Sequence, residues 1–181
     1  MKLYLIPAYK ETIRNQGYGR IIKAAEEAGY TVEVLNLQIQ NQKFSNVVAE
    51  GVRMISQDKS KHKTVFGFST GALIAYQISA QIPIKKGLFC SVSPILGNDI
   101  PKKERAYIKL FSKESVDELK KSDYGISLAE QPIFFCGDKE GRKLTGRTRK
   151  LSQLSDGQTI VIKNNEHELN SIYIKEVVKF L

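Results

Sequence analysis

The chain alternates short apolar runs with longer segments of helical period. The runs are 2–7 (KLYLIP), 31–36 (TVEVLN), 64–68 (TVFGF), 86–92 (KGLFCSV), 132–136 (PIFFC) and 158–163 (QTIVIK). Short, nearly continuous apolar runs bounded by turn residues predict strands buried on both faces. Between them, 18–28 places Ile21, Ile22, Ala25 and Ala28 on one face and stops at Gly29. Segment 45–57 aligns Val48, Val52 and Ile55 behind Ser45, which reads as an N-cap. Segment 71–81 is apolar nearly all round, the pattern of a helix covered on more than one side. Leu144, Leu151 and Leu154 mark a helix over 143–154, and Leu169, Ile172, Tyr173, Val177 and Leu181 another over 168–181.

A parallel strand pair needs a crossover, and the crossover is usually a helix. The alternation therefore predicts an α/β fold: a three-layer sandwich with a mostly parallel sheet of about six strands and helices on both faces. One connection, 97–131, is longer than the rest. Its amphipathic stretch KKERAYIKLFSKESVDELKKS predicts a helical excursion over one edge of the sheet, where a cap over a site would lie. There is no internal repeat, low-complexity tract or linker, so 1–181 reads as a single domain.

Composition adds exclusions. At 181 residues and 41% hydrophobic the chain can bury a sizeable core. No apolar run approaches the ~18 residues of a membrane span, and MKLYLIPAYK is too short in its hydrophobic part for a signal peptide. A cytoplasmic protein with no membrane partner is expected. The net charge is +9, but Lys and Arg are spread along the chain. The densest cluster, KEGRKLTGRTRK (139–150), has no interleaved aromatics, so it reads as a solvated basic face and not as a nucleic-acid surface. Cys90 and Cys136 lack metal or redox spacing and read as small buried hydrophobes.

The chemistry centres on VFGFSTGALIAYQIS, residues 65–79, where a strand turns into a helix through Ser69 with Gly67 and Gly71 two residues to either side. A hydroxyl that must stand clear of a sheet on a strained backbone needs small neighbours, and the glycines supply the room. This G-F-S-T-G segment resembles the nucleophile elbow of the alpha/beta-hydrolase superfamily. The bland alternative for Ser69 is a helix N-cap beside a packing glycine.

A serine nucleophile needs a base. His62 precedes Ser69 by seven residues at the start of the same strand, which puts it roughly 20 Å away at ~3.3 Å per residue. His167 follows the last strand, in IVIKNNEHEL, at the carboxyl edge where open sheets of this kind bind ligands. The carboxylate that orients the base is sought in CGDKEG, where Asp138 and Glu140 both leave a strand at that edge. The family's spacing, three residues after a strand-ending glycine, falls on Glu140, while its commoner residue type is aspartate. Glu140 is preferred and Asp138 is the alternative. The chain order serine, acid, histidine matches the superfamily.

The resemblance further implies an oxyanion hole formed by the backbone N–H of Thr70 and of Tyr9. Pro7 and Ala8 stand where the family usually has His-Gly. It covers nearly the whole chain, without the first two strands many members have, and describes a minimal, small esterase-like member. It implies hydrolysis of a carboxylic ester or thioester through an acyl-enzyme, with no metal or organic cofactor. Lys10, Arg14, Lys139, Arg142 and Lys143 all follow strand exits at that edge, which predicts anionic substrates or leaving groups. Two other classes compete: a non-catalytic binding module on the same scaffold, and a flavodoxin-like phosphate or nucleotide binder that uses the GFSTG turn. Oligomeric state is not legible.

Overall fold

The computed structural model describes residues 1–181 apart from 16, 38, 39, 41, 101–107 and 109–111. Its elements in chain order are β1 (Lys2–Ile6), α1 (Tyr18–Glu27), β2 (Thr31–Val34), α2 (Phe44–Gln57), β3 (Lys63–Phe68), α3 (Thr70–Ser79), β4 (Ile84–Cys90), α4 (Lys113–Lys121), β5 (Ala129–Gly137), α5 (Arg142–Leu154), β6 (Gln158–Ile162) and α6 (Ser171–Val177). The six strands form one sheet in the order β2-β1-β3-β4-β5-β6. Every neighbouring pair is parallel. All strand exits therefore open at one edge.

Successive strand side chains point to opposite faces, and each face builds its own core. Tyr4 and Ile6 of β1 join residues of α2, α3, α4 and α5 in one buried cluster. Leu3 and Leu5 join α1 and α6 in the other. The central helix α3 is buried almost throughout, which explains its apolar circumference. The expected three-layer α/β architecture is present.

Two local features differ from expectation or extend it. The N-cap of α2 is Lys43, with no side-chain cap bond, and Ser45 instead gives its backbone N–H to Glu118 Oε1 of α4 at 2.9 Å. A carboxylate there satisfies an orphan donor and suits the positive end of the helix dipole. Within the 97–131 excursion, α4 buries Val116 and Leu119 in the same cluster as α2 and α3. The remainder of the expected excursion, 101–107 and 109–111, lies outside the described residues. Among the described residues no helix is long and apolar enough to cross a membrane.

Candidate active site

Ser69 sits between the last residue of β3 and the first of α3, at φ 57° and ψ −118°. A serine is held there only if its surroundings over-determine it, at a cost of about 1–3 kcal/mol. Its N–H donates to the Cys90 carbonyl at 2.8 Å, and its carbonyl accepts from Leu73 N–H (3.1 Å) and Ser93 N–H (3.3 Å). The glycines are needed sterically. A Cβ on Gly67 would run into the Gly71 backbone, and one on Gly71 into the carbonyls of Ile6 and Pro7. The helix thus starts hard against the exit of β1.

Ser69 makes no side-chain capping bond to α3. Its Oγ lies 3.0 Å from His167 Nε2 and 3.2 Å from Ser93 Oγ. His167 rides on a loop organised by buried Asn165, whose Nδ2 donates to the carbonyls of Glu166 (2.6 Å) and Glu168 (3.1 Å). The β5 exit approaches this loop so closely that a Cβ on Gly137 would meet the Asn165 carbonyl. The imidazole stacks at a tilt over Phe68, with ring centroids 5.0 Å apart. His62, by contrast, lies at the amino edge, where its carbonyl accepts the Lys2 N–H at 3.0 Å.

Behind the imidazole stands Glu140, with Oε1 3.7 Å from His167 Nδ1; its side chain is 0% exposed against 41% for His167. That separation is longer than a hydrogen bond, and such contacts commonly tighten only when substrate is bound. Asp138 is exposed, and its Oδ1 accepts the Asn165 N–H at 3.3 Å and so braces the histidine loop.

Several groups at this centre were not singled out from the sequence. The buried Ser91 hydroxyl donates to Glu140 Oε1 at 2.5 Å and lies 2.8 Å from the Tyr173 hydroxyl of α6. Having given its proton to the carboxylate, Ser91 must accept from Tyr173. Burial pushes the Tyr173 phenol well above its ordinary range, so it remains a donor. Ser91 and Ser93 both follow β4, in the CSVS exit at the same carboxyl edge. Inspecting every strand exit for hydroxyls would have found them. Burial likewise raises the thiols of Cys90 and Cys136, the latter to about 11, so neither is a thiolate near neutrality.

The Tyr9 N–H, at the exit of β1, donates to Thr70 Oγ1 at 2.6 Å. The loop carrying Tyr9 is itself pinned, because Tyr18 OH accepts the Ala8 N–H (2.9 Å) and donates to Glu11 Oε2 (2.5 Å). Beside Tyr9 a cleft of about 710 Å³ opens between the exits of β1 and β2, with Pro7, Lys10, Arg14, Leu35 and Leu37 among its walls. Among the described residues no group of three or more His, Cys, Asp or Glu side chains is placed to hold a metal ion.

The strand order alone does not separate this fold from flavodoxin-like sheets, which share the order 2-1-3-4-5. No family model and no curated protein matches the sequence. Solved structures do match it in backbone. Est1E from Butyrivibrio proteoclasticus, solved with ferulic acid bound, aligns with 99% of this chain and 85% of its own at TM-score 0.81 and 12% identity. MGS-MChE2, an alpha/beta hydrolase from the metagenome of lagoon sediments of Mar Chica, Morocco, aligns over 99% and 87% at TM-score 0.73 and 12% identity. An esterase of Pyrococcus furiosus aligns over 99% and 78% at TM-score 0.65 and 16% identity. The sheet order, the strained serine turn and these superpositions agree: the protein has the alpha/beta-hydrolase fold.

Proposed function

We propose that the protein is a serine hydrolase that cleaves a carboxylic ester or thioester through an acyl-enzyme. The observation that carries this reading is the 3.0 Å approach of His167 Nε2 to Ser69 Oγ, with a buried carboxylate on the far side of the ring. In this reading Ser69 Oγ attacks the substrate carbonyl as its proton passes to His167 Nε2. The imidazolium then gives that proton to the departing alcohol or thiol. Water, deprotonated by the same nitrogen, attacks the acyl-serine; the acid leaves and Ser69 regains its proton. Glu140 holds the tautomer with Nδ1–H and stabilises the imidazolium, and Asp138 braces the loop. Thr70 N–H, at the first turn of α3, faces the oxygen that becomes negative, with help from the helix dipole.

The substrate's bulk fits the cleft beside Tyr9. Lys10 and Arg14 line it, while the carboxylate of Glu11 is taken up by Tyr18. Lys139 and Arg142 are exposed on the β5 exit, although the Lys143 ammonium is bound to the Asp99 carbonyl. This balance favours acyl or leaving groups that carry negative charge. The Pyrococcus furiosus neighbour is named as an esterase and Est1E holds ferulic acid, a carboxylic acid, and both are in keeping with an ester or thioester substrate.

Turnover of a p-nitrophenyl ester series by wild type, Ser69→Ala and His167→Ala tests the proposal. Each variant is expected to lose at least about 10³-fold in kcat. A Ser69→Ala protein with full activity would remove the mechanism.

A further inference from the structure

The Tyr9 N–H stands where the second backbone donor to a tetrahedral oxyanion would be sought, yet it does not point into open space. It is engaged by the side-chain oxygen of Thr70, the residue directly after Ser69. The contact follows from the steric demand at Gly71, which brings the start of α3 against the exit of β1. We propose that the Thr70 hydroxyl is itself an oxyanion donor, interposed between the Tyr9 N–H and the reacting oxygen. The inference rests on the hydrolase reading above.

A hydroxyl has one proton and two lone pairs. By accepting from Tyr9, Thr70 Oγ1 uses a lone pair and leaves its own proton to donate. An N–H···O–H···O chain of this kind polarises along its length, so the terminal donor is stronger than an isolated hydroxyl. The Tyr9 bond and the stiffness of a β-branched side chain at χ1 hold the rotor before substrate arrives. The backbone N–H of Thr70 lies in the first helical turn, where N–H groups have no intrahelical acceptor. One residue thereby offers two donors to one oxygen. As the Ser69 Oγ–carbon bond forms, the carbonyl π pair moves onto oxygen and the serine proton goes to His167. Thr70 keeps its proton throughout and contributes only a hydrogen bond, which strengthens as the charge develops.

The experiment compares Thr70→Val, Thr70→Ala and Thr70→Ser with wild type and Ser69→Ala on p-nitrophenyl acetate, and measures inhibition by phenylboronic acid, which forms a tetrahedral adduct on serine. Thr70→Val keeps the shape without the proton, and Thr70→Ala adds no bulk; thermal melting checks the fold of each. Both are expected to lose about 10²-fold in kcat with little change in KM, and to bind the boronate more weakly in the same proportion. Thr70→Ser should restore most of both. Thr70→Ala turning over as fast as wild type or faster, with Ser69→Ala inactive, would overturn the inference, because the hydroxyl would then merely occupy a donor that serves better alone. Activity surviving in Ser69→Ala would instead sink the hydrolase reading on which it depends.

Discussion

The link from Ser91 to Glu140 gives the most quantitative prediction. Both side chains are buried, and Ser91 Oγ donates to Glu140 Oε1 at 2.5 Å. The other carboxyl oxygen, Oε2, is buried with no hydrogen-bond partner among the described residues. Ser91→Ala therefore removes the hydroxyl that donates to this enclosed carboxylate, and with it the oxygen that accepts from Tyr173. A hydrogen bond to a charged group contributes about 1.5–3 kcal/mol. For a domain of this size, 1 kcal/mol shifts the melting midpoint by about 2–4 °C. The variant should therefore melt roughly 3–12 °C lower, by calorimetry or circular dichroism. If about half of that energy is also lost in holding Glu140 behind His167, kcat falls about 4- to 13-fold. Tyr173→Phe should cost about 1 kcal/mol, and the double variant less than the sum, since each single change orphans a group the double removes. Ser91 also has a positive φ of 53°, so Ser91→Gly relieves backbone strain while still losing the hydroxyl. It should destabilise less than Ser91→Ala while lowering kcat equally. A Ser91→Ala protein with wild-type melting and wild-type kcat would refute the reasoning.

The same chemical change is expected to act with opposite sign at two glycines. Gly71→Ala drives a Cβ into the carbonyls of Ile6 and Pro7 and should cost at least about 2 kcal/mol in urea unfolding. Gly146→Ala, inside α5 with nothing within 4 Å, should stabilise by about 0.5–1 kcal/mol. At the amino edge, Lys2 and Ser60 hold the Asp58 carboxyl well below the usual carboxylate range, with Lys2 Nζ 2.6 Å from Oδ2. A depressed folded-state value contributes stability that is complete above the unfolded value, near 3.9, and is lost as pH falls toward the folded one. Asp58→Asn should thus melt lower than wild type at pH 7, and the gap should shrink progressively below about pH 4.

Most of the architecture was legible because a parallel sheet covered on both faces makes a local demand. Every strand must be apolar on successive residues and every crossover must be amphipathic, as β3 and α2 are. The serine turn was legible for a similar reason: its strain demands small residues two positions away, and Gly67 and Gly71 are close in sequence. His167 was recognisable because strand exits in a parallel sheet share one edge.

What could not be read depends on partners far along the chain. Ser45 looked like a cap until Glu118, 73 residues on, was seen to take its N–H. Where Asp138 and Glu140 lie is a matter of geometry: past the turn in which Glu140 N–H meets the Gly137 carbonyl, Glu140 is buried behind the His167 ring and Asp138 stays on the Asn165 loop. The strand exit marks the place of Ser91, but its partners Glu140 and Tyr173 lie 49 and 82 residues away and are not legible locally. Apolar periodicity and backbone strain are local properties, so the amino-acid order alone determined which segments became strands and helices and where a serine could sit on a strained strand-to-helix turn. Which carboxylate lies behind the His167 ring and which hydroxyls approach Ser69 depend on strand register, which brings distant exits together, since a hydrogen bond requires contact within about 3 Å.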